Sequence, residues 1–550
     1  MLSKSPRIAT PVVVSLMVAA SFLLLAGPFL IGPIPPVTDY PNHLARYWLI
    51  AGGASDPALS AYYRIDWANA VTNVGADRMV ALLAPWVSAL TVGHFAIIAA
   101  AVTPPLGVLT LNLAVFRRIN PWQALFPLAA WSTTLLMGFV NFQLGLGLAL
   151  LFATVDAIIP RRLWLVAGLV RIPFGVLLMI DHPFGLVFYA ALLAGLAMGP
   201  GSLEPVDLRG LAARLPGAAL AASWCLIPAA LVTFWGHHAL PGAQHAAEDV
   251  ANPIRYLAFP GKLATLLSPL ASYNVLQEFV VAIALTAVFS WLNSRRLFVV
   301  HGGLMFASAG LVFMAVAAPS HAGGASWIDR RFPIMALMSA FAALQARPEL
   351  SRRMSASIAA ATLGLAALQT AWVAWNWRAM TRDMNAVIAL LADIPAGARI
   401  LPMQHDPSLW LKWRAPAGRY MFGVGDATFR HFDSLAVPLR HAVTPKLFAA
   451  KGIQPLRILG AWDDVAEHSG GDLASISALS RPPLPGEPAY VPGWRARFDY
   501  VLVLNADMPD TGGPFHPPAA LTLVASNRFA QLWRIAPLAA GPAPASPPAP

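Results

Sequence analysis

The stretch that decides the fold class runs from residue 141 to residue 198 and reads NFQLGLGLALLFATVDAIIPRRLWLVAGLVRIPFGVLLMIDHPFGLVFYAALLAGLAM. It consists of three apolar runs separated by two short polar breaks, ProArgArg at 160–162 and AspHisPro at 181–183. A helix needs roughly 20 apolar residues to cross the hydrocarbon core of a membrane, and about 17 is a workable minimum. The stretch therefore predicts three consecutive membrane-spanning helices joined by tight turns.

The same pattern extends over most of the chain. Of its 550 residues, 57% are hydrophobic and only 11% are charged, whereas an ordinary soluble protein carries about a quarter charged residues. A single soluble core stops growing at about 250–300 residues, so lipid must solvate most of this apolar surface. We predict a polytopic α-helical membrane protein with eleven spans, near residues 10–31, 94–116, 122–137, 141–159, 163–180, 183–198, 217–235, 274–293, 297–317, 333–346 and 355–377.

The orientation follows from the positive charges, which favour the cytoplasmic side. Every second connection is short and basic, and the first span follows Lys4 and Arg7. This alternation predicts a cytoplasmic N-terminus, and an odd number of spans then places residues 378–550 outside. The net charge of +11 lies largely in these loops, so it indicates contact with anionic lipid rather than with nucleic acid. The basic residues in question are Arg117, Arg118, Arg161, Arg162, Arg209, Arg214, Arg295, Arg296, Arg347, Arg352 and Arg353.

The chain is predicted to divide into three parts. Residues 1–377 form the transmembrane domain, with long outer loops at 32–93 and 236–273. Residues 378–535 form a soluble extracytoplasmic α/β domain, because helical and strand periods alternate there. Residues 536–550 contain Pro and Ala without charge and are predicted to be a disordered tail.

Chemically capable side chains gather on the predicted outer face. They lie in the first outer loop, at the second break and just before the tenth span. A transporter or flippase for a lipid-linked or amphipathic substrate, which is the alternative function, should instead place ionisable groups in mid-membrane. The distribution therefore favours an enzyme open to the outer surface. The residues concerned are Asp39, His43, Arg64, Asp181, His182, Asp329, Arg330 and Arg331.

Asp39 is the candidate general base, and His43 follows one helical turn later on the same face. Asp39 equally suits the N-cap of the helix that Pro41 begins, which needs no catalysis. Arg330 and Arg331 suit a phosphate because the guanidinium is a planar fork of donors; lipid headgroups are the other ligand they fit.

Two further groups of polar residues have alternative roles. Asp181 and His182 fit either the active site or the membrane interface. The outer loop at 236–273 contains His237, His238, His245 and Glu248. Imidazole and carboxylate groups suit zinc, but this spacing matches no known metal signature, and we predict a solvated loop without a metal site. Cys225 is the only cysteine, which excludes an intrachain disulfide.

Three short segments resemble the GT-C glycosyltransferase superfamily, the multi-span enzymes that use lipid-phosphate-linked sugars. They are AspTyrProAsnHis at 39–43, GlyPheValAsnPheGlnLeuGlyLeuGlyLeu at 138–148 and AspArgArgPhe at 329–332. The overall layout is similar to that of dolichyl-phosphate-mannose-protein mannosyltransferases, and the Asp-x-Pro-x-His pattern looks like that of an uncharacterised bacterial branch. Tyr40 stands where better-known members often have a second acidic residue, so a divalent metal stays open and no other cofactor is predicted.

The resemblance implies a hexosyl or pentosyl transferase in the bacterial inner membrane, with its C-terminal domain in the periplasm. The donor would be a polyprenyl-phosphate sugar, and the acceptor a lipid or polysaccharide of the cell envelope. Asp39 and His43 would be catalytic. The substrate- and phosphate-binding residues would be Arg330, Arg331, Asp329, Arg64, His182 and Asp181.

Overall fold

A computed structural model describes residues 10–200, 208–239, 254–270, 272–322, 325–421 and 425–537. Its helices are α1 Thr10–Leu24, α2 Tyr40–Ile50, α3 Gly75–Leu83, α4 Ala89–Phe116, α5 Thr133–Met137, α6 Val140–Ile158, α7 Trp164–Asp181, α8 Pro183–Met198, α9 Leu208–Ala239, α10 Phe259–Leu266, α11 Val275–Ser294, α12 Gly302–Ala317, α13 Ile328–Ala342, α14 Arg352–Leu391, α15 Leu409–Lys412, α16 Ala436–Arg440 and α17 Trp494–Arg497. Its strands are β1 Tyr63–Ile65, β2 Phe298–Val300, β3 His321–Ala322, β4 Ala325–Ser326, β5 Leu344–Ala346, β6 Ile400–Gln404, β7 Leu456–Ile458, β8 Ala474–Ser475, β9 Tyr500–Leu504, β10 Leu521–Ser526 and β11 Ala530–Ile535.

The described helices include five that are long and apolar enough to cross a membrane, and four shorter apolar ones. The outward faces of these helices carry large apolar side chains; on α7, for example, Leu165, Leu169 and Leu177 are each more than half exposed. Water does not tolerate so much contiguous apolar surface, whereas lipid does. The chain is therefore a polytopic integral membrane protein. The five long spans lie at Ala89–Phe116, Val140–Ile158, Arg161–Asp181, Ala212–Leu231 and Arg352–Leu391.

The predicted span at 122–137 differs from a regular α-helix. Residues Pro121–Ala130 form a 3-10 helix, and only Thr133–Met137 are α-helical. Pro127 lies inside this segment and has no backbone N–H to donate, which disfavours a continuous α-helix. The 3-10 helix begins with a capping box in which the side chains of Asn120 and Gln123 each accept a hydrogen bond from the other's backbone N–H. The short span predicted at 122–137 is therefore not one continuous α-helix.

The helix bundle has two chemically distinct ends. One end carries Asp39, and we call it the Asp39 end. At the opposite end, basic loops that are far apart in the sequence come together. Arg117 and Arg161 line one cavity there. Arg118 donates a hydrogen bond to the carbonyl of Ala346, and Arg214 donates one to the carbonyl of Met198 at 2.9 Å. We call this opposite end the Arg118 end. The two faces that the charge pattern separates are thus also separate in space.

This separation gives a prediction for membrane topology. We expect reporter fusions after Arg118, Arg296 and Arg353 to report a cytoplasmic location, and fusions after Trp377 to report an external one, because positive charges are retained inside. A cytoplasmic signal from the fusion after Trp377 would place the Asp39 end on the wrong side for an envelope acceptor.

Among the described residues, a charged pair lies within two spans, whereas we expected the spans to lack charges in mid-membrane. Arg171 of α7 donates to both carboxylate oxygens of Asp156 on α6, at 2.7 and 3.1 Å. Asp156 lies two residues before the end of its helix at Ile158. The pair is therefore near the Arg118 end rather than in mid-membrane, and the arginine stem reaches toward that end.

The C-terminal part is built on a mixed five-stranded sheet with the order β10-β11-β9-β6-β8. β6 is parallel to both β9 and β8, while β11 is antiparallel to β9 and β10. Both central strands, β6 and β9, are buried along their full length, as expected where both faces of a sheet are covered. Helix α14 runs without a break through position 377, so a single rigid element links the bundle to this sheet. Most of the predicted tail, residues 538–550, lies outside the described residues.

The first long loop packs directly against the C-terminal part. Tyr40 and Tyr47 of α2 share one hydrophobic core with Leu502 and Leu504 of β9. Strand β1 of the same loop pairs antiparallel with β7. The loop therefore lies between the bundle and the sheet, and this placement positions the site described next.

Candidate active site

Asp39 is a buried carboxylate at the junction of the bundle and the C-terminal part. Its side chain is 7% exposed. It occupies the N-cap position of α2, yet its carboxylate accepts no capping hydrogen bond from that helix. Its own backbone N–H donates to the carbonyl of Met137 at 2.9 Å. Capping therefore does not account for the carboxylate, which points elsewhere.

The carboxylate faces two residues of the C-terminal part. Arg430 donates to Oδ1 of Asp39 at 3.0 Å, and Nε2 of His431 lies 3.4 Å from the same oxygen. The amide nitrogen of Asn42 lies 3.3 Å from Nδ1 of His431. Because that nitrogen can only donate, Nδ1 is the acceptor, and the neutral ring directs its Nε2–H toward Asp39. Within the described ranges, Oδ2 of Asp39 accepts no side-chain hydrogen bond.

Opposing influences set the ionisation of Asp39. Burial alone would raise its pKa, but the charge of Arg430 and the contacts with His431 outweigh burial and lower the pKa to about 2. Burial also lowers the pKa of His431 to about 3, so its ring is neutral near pH 7. Asp39 is therefore a charged acceptor in the resting site.

Arg430 is shared among several carboxylates. Besides Asp39, it approaches Asp426 at 3.3 Å and Asp472 at 3.5 Å. Burial raises the pKa of Asp426, and Arg430 counteracts this increase; Arg330 has the same effect at longer range. The electrostatic network of the site thus connects the C-terminal part with the start of α13.

His43, the second predicted catalytic residue, is committed to holding the site together. Its Nε2 lies 3.0 Å from the carbonyl oxygen of Gly138 and must donate to it. Its Nδ1 then accepts from Arg46 at 3.1 Å, and Arg46 forms a buried ion pair with Asp77 at 2.7 Å. Both ring nitrogens are therefore occupied, and the geometry favours a positioning role for His43.

Gly138 is the point at which the bundle touches Asp39. Its φ is +99°, which disfavours any side chain, and an ideal Cβ would lie 2.9 Å from Cβ of Asp39. We expect Gly138→Ala to destabilise the fold by about 1–3 kcal/mol, the usual cost of overpacking, and to displace Asp39. Thermal unfolding of the purified protein measures this change.

The matched control for Gly138 is Gly364→Ala on α14, where an added Cβ meets nothing within 4 Å. A helical Gly-to-Ala change in open space is expected to be neutral or slightly stabilising. Equal unfolding temperatures for the two variants would contradict the close contact at Asp39.

Arg331 lies on the other side of the same backbone segment. The ring of Phe139, the residue after Gly138, is 5.2 Å from the guanidinium carbon of Arg331, and Phe142 and Phe184 also contact it at 5.5 and 4.8 Å. Nη1 lies 2.8 Å from Nε2 of His182. Among the described residues, Arg331 forms no ion pair with a carboxylate, and its buried Nε has no hydrogen-bond partner.

The remaining predicted residues occupy separate positions. Asp329 is buried and pairs with Lys262 at 2.7 Å. Asp181 lies against the start of α3, where a Cβ on Gly75 would be 1.7 Å from its Oδ1. Arg330 stacks on the ring of Trp327 at 4.5 Å. Arg64 is exposed on β1, opposite Arg457. Only Asp39, His43, Arg331 and His182 are thus brought together around the 138–139 segment.

The described residues contain no group of three or more His, Cys, Asp or Glu that could hold a metal ion. His245 and Glu248 of the predicted polar loop lie outside the described residues. Asp39 and the two acidic side chains near it, Asp426 and Asp472, each form an ion pair with Arg430.

Three chains of solved structures match this chain. One is the crystal structure of ArnT from Cupriavidus metallidurans bound to undecaprenyl phosphate, with 12% identity and a TM-score of 0.43, covering 94% of this chain and 97% of that one. No family model and no curated protein matches.

The sequence pattern did not reveal Arg430 and His431. They lie in the segment ThrPheArgHisPheAsp at 428–433, which has neither a helical nor a strand period. The available signal for these two site residues was their position in the C-terminal part, next to each other and between Phe429 and Phe432. Their pairing with Asp39 spans 391 residues of sequence, and only the tertiary fold shows it.

Proposed function

We propose that this protein is a glycosyltransferase that moves a sugar from a polyprenyl-phosphate donor to an envelope acceptor at the outer face of the membrane. The observation that supports it most is the pairing of two groups across one backbone segment. A buried carboxylate, Asp39, contacts Gly138, and a guanidinium with no carboxylate partner among the described residues, Arg331, lies over the ring of Phe139.

The two groups match the two needs of the reaction. The oxygen of an acceptor hydroxyl attacks the anomeric carbon, and its proton passes to Asp39 as the new bond forms. The bond between that carbon and the phosphate oxygen breaks, and the electron pair stays on the leaving polyprenyl phosphate. Arg331 meets the charge that grows on the phosphate, since its free Nε–H and the fork of donors suit a phosphate edge.

Oδ2 of Asp39 is the oxygen that we propose for the acceptor proton, because Arg430 and His431 both approach Oδ1. The pKa of about 2 makes Asp39 a weak base while Arg430 is bound. Any movement of Arg430 toward the phosphate of the donor would raise the pKa of Asp39 and so strengthen the base when substrate is present.

Arg430→Gln tests this coupling. In the wild type, the pKa of about 2 keeps Asp39 charged down to low pH. Without Arg430, burial is expected to raise the pKa of Asp39 above its ordinary value of 3.8. We expect the acidic limb of the activity–pH profile to move to higher pH in the variant. Identical acidic limbs in both proteins would show that Arg430 does not control the base.

The function itself is tested in a deletion strain. We expect its envelope to lack one sugar substituent and its membranes to accumulate the polyprenyl-phosphate sugar. Restoration by the wild-type gene and not by the Asp39→Asn gene, at equal protein levels, would support transfer at this site. Unchanged envelope glycans and donor levels would contradict the proposal.

A further inference from the structure

A cationic cavity lies where α14 meets the C-terminal sheet, away from Asp39. It has a volume of about 600 Å³, which is within the usual range for small-molecule sites. Three chain segments form its walls: α14, the loop at 416–419 and the turn between β10 and β11. Its lining residues include Trp375, Arg378, Arg382, Asp383, Arg419 and Arg528.

The cavity has an excess of positive charge. Arg419 is neutralised, because it pairs with Asp383 at 2.8 Å and with Asp507 at 2.5 Å. Four lining arginines set against these two carboxylates leave a net charge of +2. Arg378 and Arg382 form no ion pair within the part of the chain that the structure describes. Both are exposed on one face of α14.

The position of these arginines along α14 indicates the chemical class of the ligand. Trp375, on the same face, is 64% exposed, and exposed tryptophans concentrate at the membrane–water interface. At a rise of 1.5 Å per residue, Arg378 and Arg382 lie about 4.5 and 10.5 Å beyond Trp375 along the helix. The headgroup layer on each side of the hydrocarbon core is about 5–7 Å thick. Arg378 therefore lies within this layer, and the backbone of Arg382 lies about 3.5–5.5 Å beyond its outer edge, a distance that the long arginine side chain can span.

We propose that this cavity binds the phosphate-bearing headgroup of an anionic membrane lipid. The positive charges of Arg378 and Arg382 would hold the phosphate, and the indole of Trp375 would contact the glycerol and upper acyl region. By the predicted topology, this end of α14 lies outside, where the positive-inside rule would not place arginines. The lipid would hold the C-terminal sheet against the membrane. This proposal does not depend on the reaction at Asp39.

The experiment compares the wild type with Arg378→Gln/Arg382→Gln in nanodiscs of phosphatidylcholine with increasing phosphatidylglycerol. Native mass spectrometry counts the phosphatidylglycerol molecules that stay bound. We expect the variant to lose one retained lipid and about tenfold or more in affinity, since it removes two cations that lie near the membrane surface. Arg495→Gln/Arg497→Gln, two surface arginines elsewhere in the C-terminal part, should behave as the wild type.

Two further measurements make the result decisive. Arg378→Lys/Arg382→Lys keeps the charge and should retain most of the binding, which separates loss of charge from loss of folding. Inorganic phosphate at millimolar concentration should not displace the lipid. Equal retention by the glutamine variant, or displacement by inorganic phosphate, would overturn the lipid site.

Discussion

Asp39→Asn is expected to lower sugar transfer by about 10²–10⁴-fold, the usual contribution of a positioned general base. Asparagine keeps the size of the side chain and can still accept from Arg430, but it cannot take a proton from the acceptor hydroxyl. The change should appear in kcat rather than in the KM for the donor, because the proton is transferred only in the transition state. Membranes with matched protein levels and a labelled polyprenyl-phosphate sugar provide the measurement.

Part of the loss of activity in Asp39→Asn will come from breaking a buried ion pair, because Arg430 then has one negative charge fewer beside it. Asp426→Asn is the control, since it removes another carboxylate from Arg430, at 3.3 Å, and leaves Asp39 in place. We expect Asp426→Asn to keep activity within about tenfold of the wild type, a ratio worth roughly 1.4 kcal/mol. Equal losses in both variants would mean that Asp39 acts only through the ion-pair network.

Arg331→Gln is expected to lower kcat/KM for the donor by about 10²–10³-fold, as for the loss of one donor to a developing anion. Arg331→Lys should recover only part of this loss, because it keeps the charge but not the fork of donors. Folding should be less affected than activity, since the described residues provide no carboxylate that would be left unpaired.

The control for Arg331 is Arg78→Gln, which removes another arginine of the outer loop that stacks on an aromatic ring, that of Trp67 at 3.9 Å. This variant should retain near-normal transfer. Similar losses in Arg78→Gln and Arg331→Gln would indicate a general effect of charge on the outer face.

Much of the fold could be predicted from local patterns. Apolar length alone placed a helix in ten of the eleven predicted spans, because a helix must satisfy its own backbone in lipid. Nine described helices are apolar enough to be candidate spans, and Ile328–Ala342 is not among them. The predicted spans at 297–317 and 333–346 also include the strands Phe298–Val300 and Leu344–Ala346. The segment at 122–137 matched a span in apolar content, but it contains Pro127 and forms a 3-10 helix. The strand periods predicted within residues 378–535 correspond to β6, β9, β10 and β11.

The site was predictable only in part. Asp39 stood out through the AspTyrProAsnHis segment at 39–43, and Arg331 because its guanidinium suits a phosphate. The partners of Asp39 could not be found in the same way, since Arg430 reaches it from a segment of irregular backbone. Likewise, His43 looked catalytic by its spacing from Asp39, whereas the carbonyl of Gly138 and the guanidinium of Arg46 occupy its ring.

The central claim is that the Asp39 site transfers sugar from a polyprenyl phosphate. The most direct test uses the purified protein in nanodiscs, a labelled polyprenyl-phosphate sugar and envelope extract from the deletion strain as acceptor. We expect the wild type to release free polyprenyl phosphate and to transfer the label to the extract, and we expect Asp39→Asn to do neither within the same time. A donor that stays intact with the wild type, or that Asp39→Asn consumes at the wild-type rate, would contradict this claim.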